Sequence, residues 1–281
     1  KHVDDGFWKR FGPEVLDFAH ENGKKDFFMF GEVFDTSRAL TSHYTTTDDI
    51  QAVLDFPFQD AARTYASKGG SAQALSDFYA GDDWYTDADS NAYQLPTFLG
   101  NHDMGRIGGF IEADNPKATD AQILARDELA HGLMYLSRGN PVVYYGDEQG
   151  FTGDGGDKAA RQPMFATQIP DYLSQDLIGT DATQGQDTYD TSHPLYTTIT
   201  DLATVTSTYP ALRDGAQQTR YADAGSGIFA FSRIDRSDNR EYLVVVNNAT
   251  ESKTAGVPTW SPSTRFEAVY GATEAITTDD S

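Results

Sequence analysis

Four apolar, β-rich runs separated by helix-like stretches constrain this chain more than any other feature. They occupy residues 27–30, 52–58, 95–100 and 142–145. Short continuous apolar runs bounded by turn signals read as strands buried on both faces. Their alternation with helical patterns predicts β/α units and hence a parallel sheet. Three of the four runs lead directly into acids or histidine: Glu32, then Asn101-His102-Asp103, then Asp147-Glu148. Carboxylates are costly to bury, and in parallel α/β folds catalytic side chains gather where strands end. The repetition predicts one common active-site face, where an ordinary surface loop would have to coincide three times.

The segments between the runs supply the helices. Residues 4–23 carry Phe7, Phe11, Val15 and Phe18 at spacings of three to four, which predicts one apolar face, with Pro13 opening the longer part of the helix. Residues 120–138 form the clearest helix, with Ile123, Ala130, Leu133, Met134 and Leu136 inward and His131 structural; residues 194–208 form another. The acidic stretch 81–94 lacks the glycine and glutamate spacing of a calcium loop and reads as a plain loop. The glycines of the stretch 150–164 match no nucleotide-binding pattern, and the whole stretch reads as a loop of the active-site face. From about residue 213 the pattern changes to short strands with polar turns, predicting an antiparallel sheet. The expected division is therefore 1–212 and 213–281.

Three segments carry a resemblance. GEVF at 31–34, FLGNHD at 98–103 and PVVYYGDEQG at 141–150 resemble successive sequence regions of the α-amylase family of glycoside hydrolases, and ARQPM at 160–164 is similar to a stretch of its relatives. The opening Lys1-His2-Val3 resembles the tail of a further region of the form GFRxDxxKHV. The resemblance implies a (β/α)8 TIM barrel, with about strands 5–8 in this chain, followed by a small antiparallel β-sandwich. It implies retaining cleavage of internal α-1,4-glucosidic bonds in starch-like polysaccharides or oligosaccharides. An α-1,6 debranching, cyclodextrin-cleaving or transglycosylating relative, or a non-catalytic glycan-binding homologue, is the alternative.

Retaining glycosidases need a proton donor and an attacking carboxylate about 5 Å apart across the sugar. By resemblance Glu32 is the general acid/base, expected to be sheltered by Phe30 and Phe34, and Asp103 is the carboxylate that grips sugar hydroxyls. Lys1, His2, Phe34, Asn101 and His102 are the substrate-binding candidates, with Asn101 orienting its turn. Arg106 is expected to pair with an acid at the rim. The His2 carbonyl is the implied calcium ligand. The nucleophile falls upstream of Lys1 in the family pattern, so the chain is expected to be a fragment without it.

Composition narrows the partners. A net charge of −22 disfavours nucleic acid phosphates and anionic membranes but does not repel a neutral sugar polymer. The absence of cysteine removes thiolate chemistry and disulfides. No apolar run reaches 18 residues, so no spanning segment is expected. The acidic, Asp-, Thr-, Tyr- and Gly-rich composition suits an extracellular enzyme.

Overall fold

The computed structural model describes residues 2–153 and 155–279. Its elements, in order, are α1 (Asp5–Glu21), β1 (Phe30–Gly31), α2 (Arg38–Thr46), β2 (Ala52–Val53), α3 (Phe56–Ala62), α4 (Ala72–Tyr79), β3 (Pro96–Phe98), α5 (Ile107–Asp114), α6 (Asp120–Leu136) and β4 (Asn140–Val142). There follow α7 (Pro170–Leu173), α8 (Pro194–Thr208), α9 (Ala211–Asp214), β5 (Ala216–Ala222), β6 (Ile228–Ile234), β7 (Glu241–Asn247), β8 (Arg265–Phe266) and β9 (Ile276–Thr277). The chain is thus a mixed α/β structure.

β1 pairs with β2 and β3 with β4, both in parallel. A backbone hydrogen bond from Asp55 N to Pro96 O, 3.0 Å, links the two pairs just past the end of β2. β3 is buried at Pro96, Thr97 and Phe98. The outer strands differ from expectation. Phe27, Phe28 and Phe30 are 40%, 43% and 51% exposed, and Val142 is 47% exposed. Among the described residues no second layer covers these side chains, which a strand buried on both faces requires.

Two further expectations need correction. The run 52–58 is not one strand: after Val53, Asp55 caps a helix by accepting from Phe58 N at 2.9 Å, and Pro57 supplies the fixed φ that suits a first helical turn. α1 is continuous through Pro13, and Asp4 caps it by accepting from Gly6 N at 2.8 Å. Its buried positions are Gly12 and Ala19, while Phe7, Phe11 and Phe18 are exposed. The reason is close approach: a Cβ on Gly12 would stand 2.5 Å from Asp49 O, so this side of α1 lies directly on backbone.

α6 begins with the capping box Thr119–Gln122 and buries Ile123, Ala130, Leu133, Met134 and Leu136, as its period requires. β5, β6 and β7 form an antiparallel sheet in that order. Phe229 and Phe231 of β6 join the core built from α3, α4, α6 and α8, and Tyr79 stacks on Phe229 at 5.8 Å. Tyr65 OH donates to Gly227 O at 2.7 Å, adding a directional tie between helix and sheet. Among the described residues no helix is long and apolar enough to cross a membrane.

Arg138, at the end of α6, is fully buried. Its guanidinium donates to Asp55 Oδ2 through Nη1, and to Asp82 through Nε at 2.9 Å and Nη2 at 2.7 Å. It also lies over the Phe78 ring, 5.0 Å from the centroid. Burial raises the Asp82 carboxyl, and the Arg138 charge opposes that rise. Asp82 therefore serves a buried ion pair, which accounts for one of the acids in the 81–94 stretch. Removing one partner of such a cluster strands the opposite charge, at a cost of about 3–5 kcal/mol. Arg138→Met is expected to lower the melting temperature sharply, and adding Asp55→Asn with Asp82→Asn to recover much of the loss, as read by thermal and urea unfolding. A single variant as stable as wild type would disprove the cluster's role.

Candidate active site

The loop after β3 is built by Asn101. Its Oδ1 accepts from Asp103 N and Met104 N, both at 2.9 Å, and its backbone pairs with Gly105 at 2.9 and 3.1 Å. Gly105 takes φ +117°, which closes the turn, and a Cβ on Gly100 would meet Gly105 O at 2.5 Å. The tight turn leaves His102 and Asp103 projecting, with side chains 55% and 42% exposed. His102 Nε2 lies 3.4 Å from Asp103 Oδ1.

Arg161 completes this group, and sequence reasoning did not single it out. Its Nη2 donates to Asp103 Oδ1 at 3.1 Å and its Nε to His102 O at 3.3 Å, while Nη2 also forms an ion pair with Asp157 Oδ1 at 2.9 Å. The available signal was the ARQPM stretch, already read as active-site loop. Nothing in that stretch alone distinguishes Arg161 as the residue that reaches Asp103.

Glu32 directly follows β1 and is exposed. The expected shelter is absent, because Phe30 and Phe34 are themselves 51% and 47% exposed. Phe34 packs on Phe56 at 4.5 Å, and Val33 turns inward as a buried anchor. Glu32 follows the C-terminal end of β1 and Asp103 follows that of β3, each strand belonging to a parallel pair, and the Asp55 N to Pro96 O hydrogen bond joins the two pairs. His2 is exposed, and Lys1 lies outside the described residues. His2 joins no group of potential metal-ligating side chains among the described residues.

The third predicted acid behaves differently. Asp147 is buried beneath the site and pairs with Arg106 Nη1 at 2.9 Å. Burial raises its carboxyl, and Arg106 pulls it back down. Arg106 also donates to Tyr145 O and Gln162 Oε1, each at 2.7 Å, with its guanidinium over the Tyr144 ring at 4.3 Å. The arginine is therefore an interior brace and not the rim residue expected from sequence. His131 is likewise structural: it is buried, with Nδ1 2.8 Å from Asp127 Oδ1.

A cavity of about 610 Å³ lies beside α5, lined by residues that include Arg106, Phe110, Glu112, Thr152, Gln175 and Asp176; neither Glu32 nor Asp103 borders it. Burial raises the Glu112 carboxyl to about 7, helped by the charges of Asp176 and Asp120. A raised carboxyl favours folding most below its ordinary value of 4.5, and that contribution is lost as pH climbs through about 7. Glu112→Gln is thus expected to gain melting temperature relative to wild type as pH rises from about 5 to about 8. A gap between the two proteins that stays constant over this range would refute the assignment.

Comparison with known proteins follows the same lines. A profile of the α-amylase catalytic domain matches residues 4–215. An α-amylase of Streptomyces lividans is 51% identical over 98% of this chain, and a cyclomaltodextrin glucanotransferase of Klebsiella oxytoca is 24% identical over 92% of it. The chain spans 30% and 39% of those two relatives. The crystal structure of an Anoxybacillus α-amylase superposes with a TM-score of 0.72 at 23% identity, over 99% of this chain and 53% of that one; the likeness extends to fold.

Proposed function

The chain belongs to the α-amylase family of catalytic domains, and from that premise we propose that it is part of a retaining glycoside hydrolase acting on internal α-1,4 bonds of starch-like glucans. The observation that carries the reading is that two solvent-facing carboxylates, Glu32 and Asp103, each follow the C-terminal end of a strand of a parallel pair. In this reading β1 to β4 are four successive strands of a (β/α)8 barrel, and residues 213–281 are its C-terminal β domain, a small sandwich. The half-covered faces of β1 and β4 suit strands whose remaining neighbours belong to the rest of the protein.

Glu32 is assigned the proton transfer. Its carboxyl gives a proton to the departing glycosidic oxygen and then takes one from the incoming water. Asp103 accepts hydrogen bonds from sugar hydroxyls and favours the ring distortion on the way to the oxocarbenium-like transition state. Arg161 holds Asp103 in orientation, and His102 adds a hydroxyl contact. Asn101 fixes the turn, while Phe34, Lys1 and His2 flank the sugar. The attacking carboxylate is assigned to residues outside this chain, and no step here is routed through calcium. Calcium at the His2 carbonyl rests on resemblance alone, because His2 belongs to no group of three or more potential metal-ligating side chains among the described residues. An extracellular setting fits the acidic composition.

The test uses the full-length protein. Glu32→Gln preserves size but cannot cycle a proton, so kcat on soluble starch is expected to fall about 10²- to 10⁴-fold with glucan binding retained. Activity within about threefold of wild type would remove Glu32 from that role. Product analysis on the wild-type enzyme then separates hydrolysis, which releases new reducing ends, from transglycosylation, which yields cyclic products by intramolecular transfer or redistributed chain lengths by transfer to another chain, without new reducing ends, and activity on α-1,6-linked substrates would indicate debranching.

A further inference from the structure

The geometry points to a transition-metal cation site, of the Zn2+ class, formed by Asp5, His43 and Asp48 where α1 meets the end of α2. One ligand atom from each of the three residues lies within 4.8 Å of the others, the only such group among the described residues. His43 Nε2 stands 3.1 Å from Asp5 Oδ2 and 3.8 Å from Asp48 Oδ1. A tetrahedral ion with bonds of about 2.0–2.2 Å spaces its ligands by roughly 3.3–3.5 Å, so the two measured edges bracket the required value.

A cluster of acids alone would carry no such reading, since exposed carboxylates gather freely on a chain of net charge −22. The second observation is Asp48. Its side chain is fully buried, and neither carboxylate oxygen has a hydrogen-bond partner, while Oδ1 looks onto His43 Nε2. Leaving both oxygens of a buried carboxylate unsatisfied is costly, and a bound cation would satisfy them. Burial and the charge of Asp5 raise the Asp48 carboxyl, with His43 and Lys9 opposing and Asp49 adding to the rise. A cation would offset that burden directly.

The donor set selects the metal class. An imidazole nitrogen with two carboxylates suits Zn2+ and its neighbours, whereas Ca2+ prefers six to eight oxygens. Asp5 and His43 are half-exposed, which gives the ion an entry path and leaves room for water as a fourth ligand. The local backbone supports the arrangement. Asp5 opens α1, His43 lies in the last turn of α2, and Asp49 takes φ +53° just after Asp48. The bound ion would staple α1 to α2, the two helices that flank β1 in sequence. Binding needs a neutral imidazole and ionised carboxylates.

The experiment compares chelator-stripped full-length wild type with Asp48→Asn and His43→Gln. Zn2+ is titrated against a chromophoric chelator, and Co2+ serves as a visible-absorption probe of the same site. Wild type is expected to bind about one equivalent of Zn2+ more than either variant, and to show a tetrahedral Co2+ band that both variants lack. If Asp48→Asn does not fold, His43→Gln at the half-exposed edge carries the comparison. Equal stoichiometry in wild type and variants would overturn the proposal. So would a wild type whose melting temperature does not respond to Zn2+.

Discussion

Much of this structure depends on satisfying one buried guanidinium. Arg138 loses all contact with water, and a charge so placed is tolerable only when every side of it is answered. Two carboxylates answer it, from Asp55 at the start of α3 and from Asp82 in the loop after α4. Its backbone N–H meets Gln217 Oε1 of β5 at 2.7 Å, so the same residue reaches the antiparallel sheet. Segments distant in sequence are thereby held in one arrangement. Apolar burial drives the collapse, but it is non-directional; the ion cluster adds the geometry that burial alone does not supply.

A second arginine repeats the device beneath the candidate site. Arg106 ties the loop after β3 to the segment after β4 through Asp147, Tyr145 O and Gln162. The consequence is a division of labour among the acids that follow strands. Asp147 spends its carboxylate on an interior pair and cannot meet a substrate. Asp103, two residues past Asn101, stays outside, where Arg161 can orient it without desolvating it. Glu32 is exposed directly after β1, next to the buried anchor Val33.

Much of this was legible in advance. The strand-then-acid pattern located Glu32, the Asn101–Asp103 turn and the 140–150 segment, because apolar runs and turn residues are local signals. The helices at 120–136 and 194–208 followed from period and capping chemistry for the same reason. The errors came where local signal and tertiary environment part company. The apolar face of α1 was read from Phe7, Phe11 and Phe18, yet Gly12 and Ala19 are what lie inward, since only small residues allow the backbone of Asp49 to approach. The run 52–58 looked like a strand throughout, but Asp55 and Pro57 carry helix-start chemistry that a hydrophobicity pattern does not register.

The sequence by itself therefore determined the order of most strands and helices, the positions of the acids that follow the strands, and a strongly acidic, cysteine-free composition that disfavours phosphate partners. It could not determine which of its acids stay free. Glu32, Asp55, Asp82, Asp103 and Asp147 are chemically alike in the unfolded chain. Whether each meets water, an arginine or a histidine depends on contacts between residues dozens of positions apart, such as the 56 separating Arg138 from Asp82 and the 58 separating Arg161 from Asp103. Long-range electrostatic pairing has no period and no local spacing, so only the folded structure decides it.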